Sequence, residues 1–160
     1  MKITFIAHSA FLVERDKFYT LFDYVYEPDY TGTLPPLDPQ KPLLVFSSHS
    51  HEDHFDGKVF GLLEQYPLTQ FFVSRDTRLT ERRRKWLGIS DEAFARTTVL
   101  RPDSILLTEA AGEELSVRAI KSTDIGNAYL LRAEGKMVYH GGDLNWWHWE
   151  EEEEPFNRMM

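Results

Sequence analysis

"PLLVFSSHSHEDH", residues 42–54, decides how this chain is read. Its first half, Leu43 to Phe46, is a continuous apolar run bounded by a proline and by serines, the pattern of a strand buried on both faces. Its second half places His49, His51 and His54 beside Glu52 and Asp53, so that three of the chain's six histidines fall within residues 49–54. A strand that ends there leaves its successors on a loop at the sheet edge, where ligands bind in α/β architectures. His49 and His51, two apart, project to one side if the backbone stays extended, and a turn brings Asp53 and His54 to a neighbouring point. One short loop then offers two imidazoles to one cation, and a carboxylate with an imidazole to a second. Nitrogen and oxygen donors of this kind suit zinc, and also manganese or iron. A surface loop that is rich in histidine by accident is the competing reading, and the density of histidines argues against it.

Working outward, the chain reads as β-rich, then alternating, then β-rich again. "KITFIAHSAFLVE" (2–14) and "FYTLFDYVY" (18–26) carry β-branched and aromatic residues. The segment 27–42, rich in Pro, Asp and Gly, is a loop, and one this long inside a domain is often functional. After the histidines, "DGKVFGLLEQYP" (56–67) has helical spacing and stops at its proline. "TQFFVSRD" (69–76) is a second buried strand, "TRLTERRRKWLG" (77–88) a helix ending at Gly88, and "SDEAFARTT" (90–98) a short helix with Ser90 as N-cap. Short strands fill 97–124, and "EGK" (134–136) makes a hairpin turn between "NAYLLRA" and "MVYHGG". The expected architecture is one domain over 1–160, an α/β sandwich of two sheets with helices outside.

Composition narrows the function. A formal charge of −8 disfavours a nucleic-acid binder, and no apolar stretch approaches a membrane span. The one basic run, "RLTERRRKW" (78–86), is read as a solvated helix face in preference to an anion patch. The acidic run Glu150 to Glu154 is read as solvated too. The absence of cysteine leaves no thiolate ligand or nucleophile, and the N-terminus lacks a secretory signal, so a cytoplasmic location is expected.

"HSHEDH" resembles the ligand loop of the metallo-β-lactamase superfamily. The likeness extends to Asp23 in "TLFDY", matching an acidic residue that supports that loop, to "STDIG" (122–126) at the third metal motif, and to Asp143 in "VYHGGD", matching the Gly-Asp motif whose carboxylate bridges two metals. "AHSAFLVE" followed by "LFDY" is similar to the branch that includes ascorbate-phosphate lactonases and uncharacterised metal-dependent hydrolases. The resemblance implies an αββα sandwich, here shortened at its C-terminal end, and one or two divalent ions, zinc first, with manganese or iron as alternatives. It implies that His49, His51 and Asp124 hold the first ion and that Asp53, His54 and Asp143 hold the second, with Asp143 shared. A metal-bound hydroxide would then attack an ester, lactone or phosphoester, with Asp53 orienting the nucleophile or carrying a proton.

Two departures from the family pattern stand out. Asp124 occupies the place of a usual histidine, which favours harder cations. The family's last histidine has no counterpart at matching spacing, and His148 is not assigned to that role. His8 is placed near the site or as a satisfied histidine at a strand end, and His140 as a partner that orients the Asp143 carboxylate or as core. Trp146, Trp147 and Trp149, and also Tyr24, Tyr26 and Tyr30, are read as core or interface ahead of substrate-covering roles. The expected partner is a small-molecule substrate. The departures also motivate two alternatives: a weakly active or inactive metal- or ligand-binding chain that self-associates as a homo-oligomer, and a fragment of a longer reading frame.

Overall fold

A computed structural model describes residues 1–26 and 28–144; Trp146, Trp147, His148, Trp149 and the acidic run lie outside the described residues. Strand β1 (Lys2–Ala7), β2 (Ala10–Glu14), β3 (Tyr19–Phe22), β4 (Leu43–Ser47), β5 (Thr69–Ser74) and β6 (Thr97–Leu100) form a six-stranded sheet in that order. The first three strands are antiparallel neighbours, and β3 to β6 run parallel. A second sheet of four antiparallel strands contains β7 (Ile105–Ala110), β8 (Glu113–Lys121), β9 (Asn127–Ala133) and β10 (Lys136–His140).

Strand β4 shows why the fold has layers. All five of its residues are buried. Leu43 and Val45 face a core shared with Val59, Phe60, Leu62 and Ala93 of the helical segments and with Ile89 in the loop between two of them. Leu44 and Phe46 face the opposite way, into a core shared with Leu115, Val117, Tyr129 and Leu131 of the second sheet. The Phe46 ring stacks on Phe72 at 4.6 Å and meets Tyr129 edge-on at 5.3 Å. Each such side chain contributes roughly 1.5–3 kcal/mol by leaving water, so the unbroken apolar run locks β4 between two layers.

The helical layer is slighter than its sequence pattern suggests. Residues Gly57–Gly61 form a 3₁₀ turn, because the Asp56 side chain caps Lys58 N–H, and only α1 (Leu62–Gln65) continues it as α-helix. The segment 77–88 is helical only over α2 (Glu81–Trp86), since Arg78 adopts a left-handed backbone with φ 49° and Thr80 caps Arg83 N–H. In α3 (Asp91–Ala95), Ser90 accepts from Ala93 N–H, as the N-cap reading requires. "FYTLFDYVY" yields only β3, because Asp23 turns out of the sheet with φ 45°. Glu134 and Gly135, both at positive φ, close the tight β9–β10 hairpin. Among the described residues no helix covers the outer face of the second sheet, where Leu107 and Met137 are 77% and 64% exposed. No described helix is long and apolar enough to cross a membrane.

Candidate metal centre

Each element that ends at one edge of the sandwich contributes a polar side chain there. Asp23 follows β3, Ser48 to His54 follow β4, Asp124 lies in the turn after β8, Asp143 follows β10, and His8 sits in the β1–β2 hairpin. The edge formed by the carboxyl ends of β3 and β4 is the usual binding crevice of a parallel sheet, and the second sheet closes over it. The two sheets are joined at this point: Asn127 N–H donates to Ser48 O at 2.9 Å, and the Tyr129 hydroxyl donates to Ser47 O at 2.9 Å. Gly126, at φ +75°, lies so close that a Cβ there would overlap Ser48 O and come within 2.5 Å of His49 Cβ. Gly142, at φ +53°, approaches Ser48 in the same way, which brings Asp143 up to the histidine loop.

Two groups of donor atoms result. His49, His51, Asp124 and Asp143 form the first, and His8, Asp53 and His54 the second. In the first, His49 Nε2 is 3.0 Å from His51 Nδ1 and 3.6 Å from Asp143 Oδ2, and His51 Nδ1 is 3.6 Å from Asp124 Oδ2. In the second, Asp53 Oδ2 is 2.9 Å from His8 Nε2 and 3.4 Å from His54 Nε2. The other Asp143 oxygen, Oδ1, lies 3.2 Å from His54 Nε2, so this carboxylate spans both groups. Ligand atoms about 2.0–2.1 Å from one tetrahedral ion stand about 3.3 Å from each other, and the observed separations scatter around that value.

The hydrogen bonds behind the donors fix which nitrogen faces inward. The Asp23 carboxylate is fully buried and can only accept. It accepts from His54 Nδ1–H at 2.8 Å, from His140 Nε2–H at 2.7 Å, and from the Ser48 backbone N–H at 2.6 Å. The Ser48 hydroxyl donates to it at 2.8 Å and so accepts from His49 Nδ1–H at 2.9 Å. Both His49 and His54 are thereby held by Nδ1 with Nε2 directed at the donor groups. His54 Nε2 is buried and has no hydrogen-bond partner. An orphaned imidazole nitrogen beside two carboxylates is the arrangement a cation resolves, and the donor set fits a divalent ion.

Burial alone would raise the Asp23 carboxyl, but His140 and His54 overcome it and hold the group well below the usual carboxylate range. Burial, together with repulsion from His54, lowers His49 against the opposing pull of Asp23 and Asp143. Burial also disfavours charge on His54, yet its hydrogen bond to Asp23 and the nearby Asp143 and Asp53 raise it on balance. Asp53 is lowered: His54 and His8 outweigh its burial.

The structure also places the residues whose roles the sequence left open. His8 reaches donor distance of the second group, with the Tyr30 ring 5.0 Å away; the hairpin that turns it there, at φ 47°, has no clear sequence signal. His140 stacks on Phe22 at 4.6 Å and serves Asp23, not Asp143, because β10 carries it over the end of β3. Tyr24 is buried in the core and packs edge-on to Tyr26, while Tyr30 lies against the His8 ring. Sequence reading missed Asp76, whose Oδ2 accepts Ser50 N–H at 2.7 Å and braces the histidine loop from the end of β5. Its place two residues beyond a parallel strand was the available signal.

No family model matches the chain. It is 29% identical over 153 residues to a UPF0173 metal-dependent hydrolase of Opitutus terrae, matching 89% of this chain and 63% of the relative. It is equally similar, over 150 residues, to one of Desulforamulus reducens, with 89% of this chain and 62% of the relative covered. The chain therefore spans a little under two thirds of the length of these curated relatives. Among solved structures it superposes on Igni18, a metallo hydrolase from Ignicoccus hospitalis, with a TM-score of 0.57 at 22% identity over 88% of this chain and 59% of that one. The chain has the metallo-β-lactamase fold. A protein of Veillonella parvula described as a possible metal-dependent hydrolase has the same architecture, with a TM-score of 0.53 at 16% identity over 98% of this chain and 67% of that one. In this metallo-β-lactamase fold, the donor groups lie at the shared edge of the two sheets.

Proposed function

We propose that this chain is a metal-dependent hydrolase acting on an ester, lactone or phosphoester of a small molecule. One observation carries the reading: the two Asp143 oxygens face two separate donor groups, each fitted with an imidazole Nε2 directed at it. The description of the curated relatives as metal-dependent hydrolases supports it. Lactones are included because "AHSAFLVE" and "LFDY" resemble the lactonase branch. His49, His51, Asp124 and Asp143 would hold one ion, and His54, Asp53 and His8 a second, with Asp143 common to both. Zinc suits the imidazoles best, while the three carboxylates leave manganese or iron as alternatives. Bound ions would supply Lewis-acid activation of water and of the substrate's carbonyl or phosphoryl oxygen.

The chain's own residues do the positioning. Asp53, beside His8, would accept a proton from the attacking water and pass it on. His51 and Asp124 have side chains 51% and 36% exposed, so substrate would enter on their side, whereas the fully buried Asp23 stays behind the donors. The test is turnover of 4-nitrophenyl esters, simple lactones and bis(4-nitrophenyl) phosphate by protein of measured metal content. Loss of turnover on chelation, restored by zinc or manganese, supports the reading; turnover indifferent to metal overturns it.

A second reading, a metal- or ligand-binding chain that self-associates, draws on the exposed apolar side chains of Ile105, Leu107, Met137 and Tyr139 on the second sheet. Sedimentation showing a monomer at high concentration would count against it.

A further inference from the structure

The arginine-rich run divides in two once folded. Arg84 is structural: it bonds Glu81 at 2.7 Å, pairs with Asp91, and lies over the Phe94 ring at 5.1 Å. Arg83, with Arg75 and Arg78 from the preceding loop, instead lines a cleft of about 660 Å³ together with Ser50, Ser74 and Asp76. Among the described residues none of these three guanidinium groups has an ion-pair partner. Arg83 Nε is shielded from solvent without a hydrogen-bond partner, and the hydroxyl of the fully buried Ser74 is likewise unpartnered. Buried polar groups left in this state mark a place where a partner is missing. Arg78 is held at φ 49°, an uncommon conformation for a residue with a side chain. In a chain of formal charge −8, three cations line one cleft against a single carboxylate, Asp76, whose Oδ2 accepts Ser50 N–H and whose Oδ1 is buried without a partner, so positive charge is in excess there.

This cleft adjoins the metal centre directly. Ser50 stands between His49 and His51, and Gly126, which also lines the cleft, packs against His49 two residues after Asp124.

We infer that the cleft binds a phosphoryl group of the substrate, held by Arg75, Arg78 and Arg83, while the scissile bond reaches the His49, His51, Asp124 and Asp143 group. The inference rests on the hydrolase reading for the second half of that statement, and stands without it for the first. Guanidinium forks match the spacing of phosphate oxygens and carry the charge to balance a dianion, and the Ser74 hydroxyl adds a neutral donor. The basic run is thus a solvated face at Arg82 and Lys85 and an anion site at Arg83.

Calorimetric titration of inorganic phosphate tests it, using metal-loaded and chelator-stripped protein with metal content measured by elemental analysis. Phosphate is expected to bind both forms, more weakly as ionic strength rises. Arg83→Gln and Arg75→Gln are expected to weaken binding by roughly tenfold or more each, with metal content unchanged. Arg82→Gln, on the exposed face of the same helix, should match the wild type. Should Arg83→Gln fail to fold, as judged by circular dichroism, Arg75→Gln and Arg78→Gln carry the same prediction from exposed positions. Phosphate binding that is absent from the wild type, unchanged in the glutamine variants, or abolished by stripping the metal overturns the inference. Wild-type protein that takes up no metal would instead overturn the hydrolase reading, and the stripped-protein titration would still decide the phosphate site.

Discussion

Asp23 accepts a hydrogen bond from His54 Nδ1 at 2.8 Å, although its backbone must leave β3 in a left-handed conformation to do so. Through this bond, and through Ser48 to His49, one buried carboxylate sets the tautomer of a histidine in each donor group. Asp23→Asn keeps the shape but puts an amide donor or a weaker acceptor where a carboxylate accepted four bonds. Metal affinity should fall about 10–100-fold, and stability by about 1–3 kcal/mol. Competition with a chromophoric chelator and urea unfolding measure the two. Affinity equal to wild type would mean that the carboxylate does not orient the donors.

Asp143 and Asp124 should differ in reach. Asp143 offers one oxygen to each donor group, whereas Asp124 belongs to the first alone. Asp143→Ala is expected to lower occupancy of both ions, and Asp124→Ala to lower that of one. Elemental analysis after dialysis against limiting zinc gives the stoichiometries, and identical losses in the two variants would remove the case for a shared ligand.

Gly126 and Gly135 both sit at positive φ, +75° and +67°, but only Gly126 is crowded. Gly135→Ala meets open space and should cost only the backbone term, about 1 kcal/mol. At Gly126 an added methyl would also collide with Ser48 and His49, so Gly126→Ala should cost distinctly more and should weaken metal binding as the histidine loop shifts. Thermal melts of the two variants with and without zinc make the comparison; equal costs would contradict the close packing.

Acidity should oppose the metal. His54 is raised in the metal-free fold, so its contribution to stability is complete below the ordinary histidine value and is lost as pH rises through the raised one. His49 is lowered and works in the opposite sense, costing stability as acid forces a proton onto it. An ion needs both nitrogens bare, so binding displaces the His54 proton and strengthens as pH rises. The increase in melting temperature on adding zinc should therefore grow between about pH 5.5 and about pH 8, reaching about 5–10 °C at the upper end with ions at a hundred times Kd. A metal-induced shift independent of pH would argue that these histidines are not ligands.

Much of this was legible where local chemistry and fold agree. The apolar run from Leu43 to Phe46 announced a strand buried on both sides, and the histidines after it fell at the sheet edge because a parallel strand must end there. "EGK" specified its hairpin because positive φ at Glu134 and Gly135 suits that turn. What could not be read depended on contacts between distant segments. His8 is brought to Asp53 from 45 residues away by the register of β1 against β2 and by the layering of the sheet. His140 partners Asp23 across 117 residues, a choice set by how the second sheet lies on the first. The arginines divided between scaffold and cleft only once Arg78 broke the expected helix.

Two adjacent donor groups are expected to hold ions with Asp143 between them. A crystal structure of metal-loaded protein, with anomalous scattering collected at the metal edge, tests it most directly. One ion is expected among His49, His51 and Asp124 and another among His8, Asp53 and His54, with Asp143 contacting both. Loaded crystals with no anomalous peak within bonding distance of these residues, or with ions that leave Asp143 untouched, would contradict it.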